Sequence, residues 1–320
     1  MRIISTLMGG LGNQMFDYAA SLYYARQWGS PLELLSLPKS RSSSYGYARP
    51  FQLSCFQIGA SVSVASLIHR LHQTNVKQIK PVVAICNSCL GIVCLPEPKK
   101  YAFHPDLKPP EGTRRVYLRG YWQAYGYVRA METQLRNDFR FRAAPLGQNR
   151  DMLDRIQSTA TTISVHVRRG DYLHVGMALP ACYYDRAIAY MSERFPDATF
   201  VIFSDDMEFV RSSLANSLKA IYVEGNGAET AYEDLRLMSV CTHHIIANST
   251  FSWWGAWLNP SASKVVVAPR NWSNIPNQDF SELYPPQWTL LDNRSLRSEP
   301  QPPTPPPDSR DPTMHLSCLL

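Results

Sequence analysis

Long apolar runs are missing from this chain. The most hydrophobic stretch, residues 82–95 (VVAICNSCLGIVCL), is bounded by Pro81 and Pro96 and carries Asn87 and Ser88 in its middle. It falls short of the roughly 20 residues a membrane-spanning helix needs, so a buried strand or helix, or at most an interfacial patch, is expected there. Charge of one sign is scarce too: 32 Lys and Arg face 26 Asp and Glu, a formal net charge of +6 scattered along 320 residues. A nucleic-acid binder would show a clustered basic stripe, so an anionic small molecule is the better match. Nothing before the opening RIISTL reads as a secretory leader. The seven cysteines are therefore expected to be reduced thiols of a cytoplasmic protein, and the Asn-x-Ser/Thr triplets at Asn248, Asn271 and Asn293 carry no weight as glycosylation sites. Cys86, Cys89 and Cys94 start as C-x-x-C but lack the fourth partner of a structural zinc site; small buried hydrophobic side chains are expected instead. Finally, no Asp-x-Asp triplet occurs anywhere, so the carboxylate pair that often holds a divalent metal on a diphosphate is absent. Neither a metal nor another cofactor is expected.

What the sequence does have is alternation. RIISTL reads as a β-branched strand and GGLGNQ as a sharp turn. QMFDYAASLYYARQWG then has helical spacing, with Met15, Tyr18, Ala19, Leu22 and Ala25 on one face and Gly29 as its stop. PLELLSL follows as a second strand, completing the β-turn-α-β opening of a Rossmann-like half. From about residue 151 onward helices and strands alternate again: TISVHV, TFVIFSDD, AIYVEG, HHIIAN and KVVVAPRNW as strands, with helical stretches between them. That order argues for a parallel doubly wound sheet. The expected fold class is thus α/β, with two Rossmann-like domains facing a central cleft: an N-terminal domain over 1–147 and a C-terminal domain over 148–295. Residues 296–320 are proline-rich and expected to be a disordered tail. GGLGNQ imitates a dinucleotide fingerprint, but its third glycine position holds Met15, and nothing else supports a nicotinamide cofactor.

In open α/β sheets ligands bind beyond the carboxyl ends of the strands, and the polar clusters fall there. HVRRGD closes TISVHV, SDD closes TFVIF, NSTFS closes HHIIA and GGLGNQ closes RIISTL. Each reads as a helix cap taken singly; four together point to one convergent site, and a helix start is itself suited to anions. Arg168 and Arg169 stay charged and pair bidentately with phosphate. With no Asp-x-Asp, arginine and helix-end amides would carry the charge of a diphosphate leaving group. The competing readings are an arginine pinned to Asp171 to hold a loop, His166 as a core histidine, and Trp253, Trp254 and Trp257 as packing.

The blocks GGLGNQMFDYA, HVRRGDY, FSDD and IIANSTFSWWGAWL occur in that order, with weaker echoes in RPFQLSCF, GYWQ and YYDRAIAYM. On these the chain resembles the α-1,2-fucosyltransferase family, glycosyltransferase family 11, and looks like a soluble bacterial-type member. The resemblance implies a GT-B-like fold. It also implies inverting transfer of L-fucose from GDP-β-L-fucose to the 2-OH of a terminal β-galactoside on an oligosaccharide or glycolipid precursor, with no metal and no nucleic acid. A fucosyltransferase of another linkage, or a non-catalytic nucleotide-sugar or glycan-binding protein, are the alternatives. Carried over by position, Arg168 looks like the diphosphate-binding arginine, supported by Arg169, and His166 is similar to a histidine that contacts guanine or orients the strand end. Asp205 or Asp206 would accept from the guanine N–H groups, and Asn248, Ser249 and Thr250 would hold phosphate oxygens. Asn13 and Gln14 would face fucose or acceptor from the other domain. The catalytic set is then Arg168, His166 and Asp171, with Asp171 the favoured base over His174 and Asp17. Acceptor identity, oligomeric state and peripheral contact with a membrane are left open by the sequence.

Overall fold

A computed structural model describes residues 1–36, 50–64, 80–214 and 218–294. The proline-rich segment 296–320, expected to be disordered, lies outside the described residues. Two parallel sheets make up the fold. The first has five strands in the order β3-β2-β1-β5-β4, with β1 Arg2–Thr6, β2 Leu32–Ser36, β3 Ser61–Val64, β4 Ile92–Pro96 and β5 Arg115–Arg119. The second has six in the order β11-β10-β9-β6-β7-β8, with β6 Thr162–Val167, β7 Thr199–Ser204, β8 Ala220–Val223, β9 His243–Ile245, β10 Val266–Pro269 and β11 Thr289–Leu291. This is the expected GT-B-like architecture of two Rossmann-like units.

The order of each sheet decides where a ligand can sit. In the first sheet the chain runs β1 to β2 to β3 and returns to place β5 on the other side of β1; in the second it runs β6 to β7 to β8 and returns to place β9 beside β6. Each reversal opens a crevice at the strands' carboxyl ends. The first crevice collects the turn after β1 and the turn after β5; the second collects HVRRGD and NSTFS. β6 is buried at all six positions, as a central strand covered on both faces must be, and this is why TISVHV shows no polar alternation.

The Leu11–Gln27 helix departs from a simple one-faced reading. Met15, Tyr18, Ala19 and Ala25 are buried as expected and Leu22 is half-buried, but Phe16, Ala20, Tyr23 and Tyr24 are buried too. The helix packs on its own sheet, on the Tyr125–Ala130 helix and on the Thr250–Leu258 helix of the second unit. Phe16 meets Trp253 at 4.7 Å and Trp254 at 5.0 Å between ring centroids, so the tryptophans are packing residues and one core runs through both units. The stretch 82–95 divides into the Lys80–Cys89 helix and β4, separated by Gly91 at φ +64°. Cys86 and Cys89 lie exposed on that helix and Cys94 is half-buried on β4, so the first two are not the buried side chains expected. Among the described residues no group of three His, Cys, Asp or Glu side chains could hold a metal ion, and no helix is long and apolar enough to cross a membrane.

Candidate active site

The two crevices open into one cleft of about 770 Å³, lined from both units. On the second unit, the backbone leaves β6 and Arg168 enters the cleft wall. Its Nη2 donates to Asp171 Oδ1 at 2.5 Å and its Nη1 lies 2.8 Å from Asp205 Oδ2. The backbone N–H of Arg169 donates to the other oxygen of Asp205 at 2.8 Å. Gly170 leaves room for this arrangement, since a Cβ would fall 2.7 Å from Asp205 Oδ2 and displace that carboxylate. The Arg168 guanidinium is thus held in place by two carboxylates while still facing the cleft.

Arg169 goes elsewhere. Its Nε donates to Asp206 Oδ2 at 3.0 Å, and its guanidinium carbon sits 3.6 Å from the centroid of the Phe209 ring. Asp206 in turn caps the Met207–Ser213 helix, its Oδ1 accepting from Phe209 N at 3.0 Å. Neither residue lines the cleft: the pair fastens the end of β6 to the end of β7, while Asp205 is taken up by Arg168 and the Arg169 backbone.

His166, near the end of β6, is buried and lines the cleft. Burial, and after it the charge of Arg168, push its pKa down to about 3, so the ring is neutral at physiological pH. Its Nδ1 has no hydrogen-bond partner among the described residues. Asn248 is buried and is not among the residues that line the cleft; its Nδ2 donates to Met177 O at 2.9 Å and Trp272 O at 3.3 Å, tying down two residues that do line it. Ser249 and Thr250, the cap and first residue of the Thr250–Leu258 helix, do line it. The Ser249 side chain makes no capping bond, so the positive end of this helix lies open to the cleft.

A second helix start faces it from the first unit. Gly9 at φ +67° and Gly10 lead into the Leu11–Gln27 helix, again without a side-chain cap. Gly12 is needed for a different reason, because a Cβ there would fall 2.5 Å from the backbone N of Phe251. The glycine that imitates a dinucleotide fingerprint therefore lets two helix starts approach one another. Asn13 lines the cleft, and its Oδ1 accepts from Thr250 Oγ1 at 2.7 Å and from Gln123 Nε2 at 3.0 Å. Gln14 does not reach the cleft. It is buried, its Nε2 donates to Gly9 O and Pro50 O, both at 3.0 Å, and its Oε1 accepts from Gln52 N at 2.9 Å. Of the alternative bases, Asp17 is buried outside the cleft, accepting from Met8 N at 2.8 Å, and burial raises its pKa well above the carboxylate range. His174 is exposed and also outside it.

Two cleft carboxylates carry no signal in the sequence. Glu97 follows β4 and accepts from Tyr121 N at 3.1 Å; burial raises its pKa. Asp234, on the Ala231–Ser239 helix, accepts from Asn226 Nδ2 at 2.7 Å; burial raises its pKa to about 6, against the lowering effect of that bond. Neither sits in a recognisable motif. Pairing of β4 with β5 delivers the first, and the packing of that helix on the Thr250–Leu258 helix delivers the second.

A cleft between two parallel α/β units, holding a fixed guanidinium and two open helix starts, defines a GT-B-like glycosyltransferase architecture. Residues 110–292 match the model of glycosyl transferase family 11. The chain is 32% identical to the O-antigen biosynthesis glycosyltransferase WbnK of Escherichia coli, over 90% of this chain and 99% of that one. It is 29% identical to an α-1,2-colitosyltransferase of Escherichia coli, over 91% and 99%. It is 25% identical to galactoside α-(1,2)-fucosyltransferase 2 of Sus scrofa, over 89% and 76%. The chain belongs to glycosyl transferase family 11.

Proposed function

We propose that the protein is an inverting, metal-independent galactoside 2-α-L-fucosyltransferase, moving L-fucose from GDP-β-L-fucose to the 2-OH of a terminal β-galactoside. The single observation that carries this reading is Arg168, fixed at a switch point by Asp171 and Asp205 and facing two open helix starts. Such an array suits a diphosphate on which negative charge grows as the glycosidic bond breaks. Arg168 would bind the diphosphate, with the amides of the Thr250–Leu258 helix start, Ser249 and Thr250 on the remaining phosphate oxygens. His166, neutral and with a spare ring nitrogen, would form a hydrogen bond to the nucleotide. With Asp205 and Asp206 engaged by arginines, Asp234 is the better acceptor for the guanine N–H groups. Asn13 would meet the sugar from the opposite wall. On this reading residues 148–295 bind the donor and residues 1–147 the acceptor, and Arg169, Asp206, Asn248 and Gln14 support the site from behind.

The test is purified protein with GDP-fucose and a panel of β-galactosides in EDTA, following GDP release and product linkage by NMR. A 2-linked α-fucoside supports the reading. Transfer only from a nucleotide-linked colitose would change the donor; activity restored by manganese would overturn metal independence; tight donor binding without transfer would favour a binding protein.

A further inference from the structure

The reaction proposed above needs a group to take the proton of the acceptor hydroxyl, and most carboxylates near Arg168 are already engaged. Asp171 Oδ1 and Asp205 Oδ2 hold its guanidinium and Asp206 holds that of Arg169. Glu97 is different in place and in partners. It stands at the carboxyl end of β4, on the wall contributed by the first unit, whereas Arg168 belongs to the second. In a single displacement the incoming oxygen and the leaving phosphate must lie on opposite sides of the anomeric carbon. A base on the wall facing the diphosphate site has the required placement.

The local backbone is built around this carboxylate. Parallel pairing sets Pro96 opposite Arg119, so the turn after β5 passes beside Glu97, and Tyr121 N donates to its Oε2 at 3.1 Å. Gly120, at φ +154°, allows the approach: a Cβ there would fall 2.5 Å from Glu97 Cβ and 2.9 Å from Oε2. Trp122 then adopts φ +47°, a left-handed conformation unfavourable for a bulky aromatic residue. It is held there by burial against Tyr24 and Tyr127, at 5.7 and 6.1 Å between ring centroids. A strained, over-determined turn beside a polar cleft residue is a feature that clusters at active sites. The same turn delivers Gln123 to Asn13. Partial burial favours the protonated form of Glu97, while the backbone N–H groups of Trp122 and Tyr121, and after them His104 and Lys100, favour the carboxylate, and Asp17 lies close enough to feel its charge.

We propose that Glu97 is the general base. Resting on the glycosyl-transfer reading of the cleft, its carboxylate takes the acceptor hydroxyl proton as that oxygen bonds to the anomeric carbon. The bond from that carbon to the diphosphate breaks, and its electron pair leaves on the phosphate oxygen beside Arg168.

The test uses the full chain with Glu97→Gln, Glu97→Ala and Glu97→Asp, GDP-fucose, the acceptor on which the wild type is active, and sodium azide. Turnover on the glycan is expected to fall by about 100-fold or more in Glu97→Gln, the usual contribution of a positioned base. GDP binding by calorimetry stays at the wild-type value in both uncharged variants, which also shows that they are folded. Azide has no proton to lose, so it should restore sugar transfer in Glu97→Ala without accelerating the wild type. Glu97→Asp keeps part of the activity. Glu97→Gln turning over within a few-fold of wild type would overturn the assignment. So would weakened GDP binding, or azide transfer lost together with glycan transfer, because either makes Glu97 a structural group. Absence of transfer by the wild type itself would instead remove the function reading, and the base with it.

Discussion

Thr250 Oγ1, at the start of a helix in the second unit, donates to Asn13 Oδ1, near the start of a helix in the first, at 2.7 Å. The same oxygen accepts from Gln123 at 3.0 Å, so one amide ties the β1 turn, the β5 turn and the opposite unit together. A double-mutant cycle on Asn13→Ala and Thr250→Val should give a coupling energy of about 0.5–1.5 kcal/mol by denaturant unfolding. Strict additivity would mean that the two side chains do not act together.

Gly12→Ala should be costly although alanine favours helices. The added Cβ would fall 2.5 Å from the Phe251 backbone, and backbone on both sides cannot yield as a side chain can. A loss of about 1–3 kcal/mol, the usual cost of overpacking, should appear as a lower melting temperature, with the donor site disturbed as well. Gain of stability would show that the helix starts can separate freely.

Arg168→Ala should lower kcat about 100- to 1000-fold, the loss typical of removing one contact to a developing oxyanion. On the proposed function it should also weaken GDP binding, since Asp171 and Asp205 would be left without their cation beside the proposed diphosphate site. A variant within a few-fold of wild type would remove Arg168 from the phosphate site.

Its neighbour should behave in the opposite way. Arg169→Met retains contact with Phe209 but releases Asp206, so a stability loss of about 1–2 kcal/mol is expected for this part-exposed pair. Turnover per folded molecule should stay close to wild type. A severe kcat defect with unchanged stability would place Arg169 on substrate after all.

Acid should destabilise the fold through its buried histidines. His166 is held neutral to about pH 3 in the folded state, and His244, buried on β9, is also pushed well below its ordinary value by burial. Below about 6.5 the unfolded chain binds these protons and the folded chain does not, so each buried histidine removes about 1.4 kcal/mol per pH unit as pH falls. Asp234 works against this between its ordinary value and about 6, because there the folded state holds the extra proton. His166→Gln should flatten the stability profile between pH 6.5 and the limit near 3. An unchanged slope in urea titrations would show that His166 protonates in place.

The central strands can be read from the sequence because strands buried on both faces become β-branched runs, as in TISVHV and TFVIFS. β11 cannot: three half-buried residues in TLL carry no period. Arg168 and Arg169 are chemically equal in the sequence. What separates them is which aspartate of the next strand end each meets, a relationship spanning 37 residues for Arg169 and Asp206. Gln14 reads as a cleft residue because it follows Asn13, yet a helix turns each side chain by about 100° from the last, and Gln14 points to Gly9 and Pro50. Glu97 and Asp234 have no local signal; sheet order and the crossover connections bring them to the cleft.

The aromatic contact of Phe16 with Trp253 and Trp254 bears on how such enzymes can be recombined. Each parallel sheet has the outline of an exchangeable module, but the Leu11–Gln27 and Thr250–Leu258 helices are complementary surfaces, each shaped by the other. A chimera that took one half from this chain and the other from a relative would have to reproduce the close approach where Gly12 meets Phe251. An exchange between such chains would therefore have to move the Leu11–Gln27 and Thr250–Leu258 helices together, as one structural unit.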